Sequence, residues 1–177
     1  MRYFYDTEFL EDGKTIDLIS IGIVAEDGRE YYAVNDDMDL DRITQHEWLM
    51  KNVMPQLPPA DLWRPKAQIR DEVSAFLLPY GTEHNGLTGQ HWRGLPELWA
   101  WFGAYDHVVL AQLFGTMMDF PRHIPMWTND LRQEQHRLGD PGLPHQAAGL
   151  HNALEDARHL KVQAAALADY AAKKGRK

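Results

Sequence analysis

The 177-residue chain contains no cysteine. Disulfide bonds, thiolate-bound zinc and a cysteine nucleophile are therefore excluded, and the composition permits a reducing compartment. The N-terminus also lacks a basic region followed by an apolar one, and no apolar run is long enough to cross a bilayer. We therefore expect a cytoplasmic protein that makes no contact with a membrane.

Positive charge is scarce, because 18 Lys and Arg residues face 26 Asp and Glu residues and leave a net charge of −8. This balance argues against a broad nucleic-acid-binding surface. It still allows a site that binds a few nucleotides at the end of a nucleic-acid strand. Basic side chains could line a local path to such a site: Arg29, Lys51, Arg64, Lys66, Arg70 and Arg93.

The length and the 44% hydrophobic content are typical of one folded domain. We expect this domain to span residues 1–177, with a flexible basic tail at 172–177. Extended patterns alternate with helical ones along the chain, and the last helical pattern carries an apolar stripe of period 3.6. The strands are expected at Arg2–Phe9, Ile16–Ala25, Glu30–Asn35, Glu97–Phe102 and Pro125–Asn129.

Helices are expected between and after these strands. The second and third strands are joined by Asp27–Gly28, a strong hairpin signal. The pattern predicts an α/β domain with a mixed five-stranded sheet flanked by helices, in which the fourth strand runs parallel to the first and beside it. The expected helices are at Asp39–Val53, as one or two short ones, at Lys66–Leu78, at Val108–Phe114, at Asp130–Leu138 and from Asn152 onwards.

The first strand carries two acids at alternate positions. Side chains alternate faces along a strand, so Asp6 and Glu8 share one face while Thr7 points to the other. The Cβ atoms of the two acids would lie roughly 7 Å apart, which suits two hard cations about 4 Å apart with Asp6 bridging both. A solvated strand end is the alternative interpretation, because this short motif is common.

A histidine and a further acid stand at the start of the last helix. Asn152 and Glu155 fit a capping box with Asn152 as the N-cap. This arrangement puts Asp156 just past the first turn, at the edge of the apolar stripe, and leaves His151 on the loop before the cap. The two groups can therefore meet at one site, although two residues five apart on one helix would diverge.

A third position for an acid is expected in the middle of the chain. Asp106 follows a buried strand and precedes an apolar helix, where an aspartate is also favoured as a helix cap. Asp119 and Asp130 are weaker candidates, because neither opens a long apolar helix.

Together these motifs resemble the DEDDh 3′–5′ exonucleases, an RNase H-like family that includes RNase T, oligoribonuclease and proofreading exonucleases. The matching residues are Asp6 and Glu8 of the Asp-x-Glu motif, Asp106 in the segment YDHVVLAQLF, and His151 and Asp156 of the His-x4-Asp motif. The similarity is greatest to the small actinobacterial, polyadenylate-specific 3′-exoribonucleases, and it covers essentially the full chain.

The resemblance implies an RNase H-like fold and a hydrolase that releases 5′-mononucleotides from the free 3′ end of RNA. It implies two Mg²⁺ or Mn²⁺ ions per active site, held by carboxylates. Asp6 would bridge both ions, Glu8 and Asp156 would complete the first, and Asp106 would hold the second.

The resemblance further implies that His151 is the general base and that Thr7 and Phe9 contact the terminal nucleotide. Relatives with this site are often homodimers, which makes a second copy of the chain a candidate partner.

Other interpretations stay open from the sequence. A DNA exonuclease cuts the same bond, and no residue pattern here reads a 2′-hydroxyl. A non-catalytic RNase H-like binding module is a further alternative, although such a module would be expected to lose acids. His145 is a rival base, and the six tryptophans are interpreted as core or partner surface rather than as platforms for bases.

Overall fold

The computed structural model describes residues 1–78 and 95–175. These residues form five strands, which we label β1 to β5, and six α-helices, α1 to α6, with short 3₁₀ turns between them. In chain order the elements are β1 Arg2–Glu11, β2 Ile16–Ala25, β3 Glu30–Val34, α1 Leu40–Thr44, α2 Glu47–Asn52, α3 Lys66–Phe76, β4 Glu97–Ala100, α4 Ala104–Phe114, β5 Asn129–Asp130, α5 Leu131–Arg137 and α6 Ala153–Lys174.

The strands form one mixed sheet in the order β3-β2-β1-β4-β5. The first three strands are antiparallel, and β4 lies beside β1 and parallel to it. The predicted α/β class, the mixed five-stranded sheet and the position of the fourth strand are therefore confirmed. The architecture agrees with the RNase H-like fold that the resemblance implied.

The strands β1 and β2 are buried on both faces because helices cover both sides of the sheet. Tyr3, Tyr5 and Ile21 pack on one side with residues of α3 and α4. Phe4 packs on the other side with α5 and α6, at Leu131 and Leu160. A third cluster lies under α1 and α2: Leu10, Ile19, Val34, Met38, Ile43, Leu49 and Val53.

A β-bulge interrupts the pairing of β1 with β2. Glu8 lies opposite Ser20 and Phe9 lies opposite Leu18, so Ile19 is an extra residue in β2. The extra residue changes the alternation of faces, so Ile19 and Ile21, which are two residues apart, lie in different core clusters, and Leu18 lies in the cluster of Ile21. The bulge falls directly beside Glu8, at the acidic motif of β1.

Several predicted boundaries differ from the structure. β1 extends to Glu11, β4 ends at Ala100 instead of Phe102, and α4 begins at Ala104 instead of Val108. The predicted strand at Pro125–Asn129 shrinks to Asn129–Asp130. α6 continues through Lys174, which includes the first part of the predicted tail, and residues 176–177 lie outside the described part of the chain.

No helix within residues 1–78 and 95–175 combines the length and the apolar character that a transmembrane segment needs.

Gly22 is the point where the start of α6 rests on the sheet. A Cβ atom built there would lie 2.3 Å from the carbonyl oxygen of Ala153 and 2.4 Å from the backbone nitrogen of Leu154. Both atoms belong to the first turn of α6, so they cannot rotate away as a flexible side chain would. The absence of a side chain at Gly22 therefore sets how closely the helix approaches β2.

We expect Gly22→Ala to destabilise the protein by about 1–3 kcal/mol, because overpacking against a fixed backbone forces the helix to shift. Chemical denaturation monitored by circular dichroism measures this change. Gly142→Ala is the matched control, since a Cβ atom there meets nothing within 4 Å. Equal stabilities of the two variants would contradict the close packing at Gly22.

Candidate active site

Asp106 forms hydrogen bonds with β1 at a point beyond the end of the pairing between β1 and β4. β4 pairs with β1 only at Arg2, Tyr3 and Phe4, so within residues 1–78 and 95–175 no strand accompanies Thr7 on that side. The N–H of Thr7 donates to Asp106 Oδ1 at 2.9 Å, and its hydroxyl donates to the same oxygen at 2.7 Å. The carboxylate thus replaces the missing strand as the hydrogen-bond acceptor.

The alternative interpretation of Asp106 as a helix cap is wrong. The N-cap position of α4 is occupied by Gly103, which makes no side-chain capping bond. The two competing acids, in contrast, both serve helix ends. Asp119 forms a capping box with Thr116, and Asp130 caps α5 while accepting a bond from Gly103.

The start of α6 has the predicted cap. Asn152 accepts bonds from the backbone N–H groups of Leu154 and Glu155, each at 3.2 Å. The reciprocal half of the capping box is not formed, because the Glu155 carboxylate binds Arg158 and the Asn152 N–H donates to the Gly149 carbonyl.

His151 lies on the loop before this cap, as predicted, with a left-handed backbone at φ 64°. Its backbone N–H donates to Asp156 Oδ2 at 3.0 Å. The other oxygen of Asp156 accepts a bond of 2.6 Å from Gln146 Nε2. Both oxygens of this carboxylate are therefore oriented, one by the backbone beside the histidine and one by a glutamine that the motifs did not single out.

One cavity of about 410 Å³ brings the predicted site residues together; we call it the acid cavity. Its lining includes all four acids, the histidine, both residues expected to contact substrate, and four further aromatic residues: Asp6, Thr7, Glu8, Phe9, Trp48, Trp101, Phe102, Tyr105, Asp106, His151 and Asp156. The possible ligand atoms of Glu8, His151 and Asp156 lie within 4.8 Å of one another, which is close enough to hold one metal ion.

His145 does not line the acid cavity. It lines a neighbouring cavity that also contains Asp6 and Asp156. Of the two candidate bases, His151 is the one that approaches Glu8 and Asp156 closely.

The acids are crowded in a region shielded from water. Burial and the neighbouring carboxylates raise the pKa of Asp6 well above its usual value and raise the pKa of Glu8 to about 8. Burial raises the pKa of Asp106 to about 6, against the two bonds from Thr7. Burial also raises the pKa of Asp156, against the bonds from Gln146 and His151. A divalent cation would relieve this repulsion.

Aromatic side chains line much of the acid cavity, and the sequence motifs identified only Phe9 among them. Trp48 on α2 contacts the His151 ring edge-on, with ring centroids 4.8 Å apart. Phe9 stacks on Tyr105 of α4 at 5.7 Å. Trp48 is 47% exposed and lines the acid cavity together with Trp101, so Trp48 is not part of the core, and the choice between a partner surface and a platform for bases stays a prediction.

The expected basic path is not found at this cavity. In the part of the chain that the structure describes, no lysine or arginine lines it. Arg29, Arg64 and Arg70 form ion pairs with Asp27, Glu72 and Asp71, respectively. Of the three remaining candidates, Lys51 and Lys66 do not line the acid cavity, and Arg93 lies outside the described residues.

The mixed sheet and the acid cavity agree with a 3′–5′ exoribonuclease, and comparison with known proteins shows this class. Residues 1–168 match the family described as the 3′–5′ exoribonuclease Rv2179c-like domain, and the chain belongs to that family. The 3′–5′ exoribonuclease Rv2179c of Mycobacterium tuberculosis (strain ATCC 25618 / H37Rv) is 49% identical over 160 residues, which cover 89% of this chain and 88% of the relative. The 3′–5′ exoribonuclease MT2234.1 of the CDC 1551 / Oshkosh strain matches with the same values.

This membership confirms the predicted enzyme class and the resemblance to small actinobacterial exoribonucleases. The acidic group that could hold a metal agrees with the divalent-metal dependence that the resemblance implied.

The raised pKa values predict how the stability of the metal-free protein depends on pH. A carboxyl group whose pKa is higher in the folded state binds more protons when folded, so stability falls as pH rises between the unfolded and folded pKa values. In EDTA we expect the thermal midpoint to fall between about pH 4.5 and pH 8, with a loss of a few kcal/mol. Mn²⁺ should restore the midpoint at the upper pH.

Glu8→Gln should flatten this dependence, because the side chain can no longer ionise. Glu97→Gln, at an exposed position at the start of β4, is the control and should leave the slope unchanged. A midpoint that rises with pH over the same range would show that the acid cluster is not under electrostatic strain.

Proposed function

We propose that this protein is a metal-dependent 3′–5′ exoribonuclease that hydrolyses the last phosphodiester bond of RNA and releases 5′-mononucleotides. The observation that carries the proposal is the convergence of Asp6, Glu8, Asp106, Asp156 and His151 in one cavity. These residues come from β1, α4, α6 and the loop before α6, so chance proximity in sequence does not explain their grouping.

The carboxylates suit two Mg²⁺ or Mn²⁺ ions, because these hard cations prefer oxygen ligands. We assign Asp6 to both ions, Glu8 and Asp156 to the first, and Asp106 to the second. Bound cations would lower the pKa of the attacking water and neutralise charge on the leaving oxygen. The hydrogen bonds from Gln146 and His151 orient Asp156, and those from Thr7 orient Asp106.

We assign His151 as the base that accepts the proton of the attacking water. It stands directly before the Asn152 cap, and its ring packs against Trp48 in a T-shaped arrangement. The proximity of its ring to Glu8 and Asp156 also allows a role as a metal ligand, and metal affinity separates these two roles.

The aromatic walls suit the base of the terminal nucleotide. Phe9, Trp48 and Tyr105 offer ring surfaces beside the acids, and stacking on rings tolerates any base. Both hydrogen-bond donors of Thr7 are engaged by Asp106, so we assign Thr7 to positioning that acid rather than to substrate contact.

The shape and charge of the site favour binding of the end of an RNA strand. A backbone track along RNA depends on many Lys and Arg contacts, and the described lining of the acid cavity has none. A small cavity that holds the phosphate through cations suits the last nucleotide. The homodimer, the cytoplasmic location and the single-domain span of the chain remain predictions from the sequence.

The products test the proposal directly. With Mg²⁺ or Mn²⁺, a linear RNA with a 3′-hydroxyl should give a descending ladder and accumulating 5′-mononucleotides, while a circle of the same sequence stays intact. Resolving labelled products on a gel and by mass spectrometry measures this outcome. A DNA strand of the same sequence, run in parallel, tests the rival substrate class.

Asp156→Asn should abolish this activity, and Asp169→Asn, an exposed acid on the same helix, is the matched control. Rapid cleavage of the circular RNA, or products that carry a 3′-phosphate, would refute the assignment of a hydrolytic 3′–5′ exoribonuclease.

His151→Ala should lower kcat by about 10² to 10⁴, the range for loss of a general base, with the affinity for Mn²⁺ nearly retained. Titration calorimetry and single-turnover kinetics measure the two quantities separately. His145→Ala is the comparison, and a larger loss of kcat there would transfer the role of base. A collapse of Mn²⁺ affinity in His151→Ala would instead identify His151 as a ligand.

A further inference from the structure

Ser20 and Tyr32 bring two hydroxyl groups to the face of the sheet that carries Asp6 and Glu8. Ser20 lies directly opposite Glu8 in the pairing of β1 with β2. Tyr32 lies opposite Gly22 in the pairing of β2 with β3, and Gly22 in turn lies opposite Asp6. Directly opposite residues of an antiparallel pair project to the same face, so these side chains share the face that α6 covers.

Neither hydroxyl group makes a hydrogen bond within residues 1–78 and 95–175. Ser20 is fully buried, and the hydroxyl oxygen of Tyr32 is closed to water although its side chain is only partly buried. A buried polar group without a partner costs free energy, and native structures contain few of them. Two such groups at one place point to a partner that they acquire when the site is in use.

Glu8 is the acid that these hydroxyl groups can serve. Asp106 and Asp156 each accept hydrogen bonds that orient them. In the described part of the chain no donor reaches the carboxyl group of Glu8, although this residue is only 8% exposed. Asp6 is assigned to both ions and can use both of its oxygens, whereas Glu8 is assigned to one ion. The second oxygen of Glu8 therefore needs a donor from the protein.

The electrostatic environment of Tyr32 shows that the three groups are neighbours. Burial raises the pKa of Tyr32, the Ser20 hydroxyl lowers it, and the charge of Glu8 raises it further. Tyr32 also packs against the apolar cluster under α1 and α2, which fixes the position of its ring. A hydroxyl group donates one hydrogen bond and can accept others, so Ser20 is able to connect Tyr32 with Glu8.

We propose that Ser20 and Tyr32 are positioning residues for Glu8: when a divalent cation is bound, Ser20 donates a hydrogen bond to the Glu8 carboxylate and accepts one from Tyr32. This inference rests on the proposed function, which assigns Glu8 to a cation. Donors behind a metal ligand orient it and raise the affinity for the metal. In the metal-free protein the same two hydroxyl groups are only costly to bury, so their effects on stability with and without the cation have opposite signs.

Two conservative variants, Ser20→Ala and Tyr32→Phe, each remove one hydroxyl group with little change in shape. We expect the affinity for Mn²⁺, measured by titration calorimetry without RNA, to fall about tenfold in each. The thermal midpoint in EDTA should equal that of the wild type or exceed it, because a buried group without a partner is lost. The increase in midpoint that Mn²⁺ produces should be smaller than in the wild type.

Tyr31→Phe is the matched control. Tyr31 neighbours Tyr32 on β3 but packs on the other side of the sheet, where its hydroxyl group donates to Glu72 at 2.9 Å. Because this hydrogen bond is present without a cation, its loss should lower the midpoint equally in EDTA and in Mn²⁺. The affinity for Mn²⁺ should stay at the wild-type value.

The double variant tests whether the two hydroxyl groups act in one chain. Its loss of Mn²⁺ affinity should equal that of Ser20→Ala alone, because Tyr32 acts through Ser20. Additive losses would contradict the chain. With RNA, hydrolysis by Ser20→Ala should fall about tenfold at limiting Mn²⁺ and recover at saturating Mn²⁺, with an unchanged KM for RNA.

Wild-type Mn²⁺ affinity in both single variants would overturn the inference. A lower midpoint in EDTA with an unchanged increase from Mn²⁺ would do the same, because it would show a purely structural role. A wild-type protein that binds Mn²⁺ without hydrolysing RNA would refute the proposed function, while the calorimetric comparison would still decide the role of the two hydroxyl groups.

Discussion

The two hydrogen bonds from Thr7 to Asp106 are the interaction on which the site depends. β1 runs on beyond its pairing with β4, and its edge there needs an acceptor that no strand in the described part of the chain supplies. A buried carboxylate fills that need, so the bonds that complete the sheet also hold one acid at the site. The gap in the sheet is thus the space in which the acid cavity forms.

This arrangement brings four carboxyl groups together at a buried site, where ionisation costs free energy. Burial raises the pKa values of all four acids, and repulsion from the neighbouring carboxylates raises those of Asp6 and Glu8 further. The hydrogen bonds to Asp106 and Asp156 compensate in part and leave Asp6 and Glu8 with the largest shifts. The described lining contains no lysine or arginine, so bound cations would balance the charge of the ionised acids.

Local patterns predicted those parts of the structure that local physics controls. Ile16–Ala25 forms a strand with the predicted bounds, and Asn152 caps the last helix, because β-branched runs and capping side chains act over a few residues. The acids Asp6, Glu8, Asp106 and Asp156, with His151, were identified from motif order, and they do share one cavity.

Local sequence patterns did not predict the contacts between segments that are distant in the sequence. The bulge at Ile19 depends on how β1 and β2 pair, and no residue type marks it. Trp48 meets His151 only because α2 folds back over the start of α6, and Gln146 reaches Asp156 only because its loop is tied to two helices. Each of these side chains looks ordinary in the sequence, since its role is created by tertiary packing.

The contact at Gly22 has a consequence for how this enzyme can change over evolutionary time. Where two side chains meet in a core, a larger residue on one side can be offset by a smaller one on the other. At Gly22 the partner is the backbone of Ala153 and Leu154, which every amino acid shares. No second-site substitution can make room there. The glycine at position 22, in the sheet beneath His151 and Asp156, therefore cannot be replaced through a series of small compensating changes.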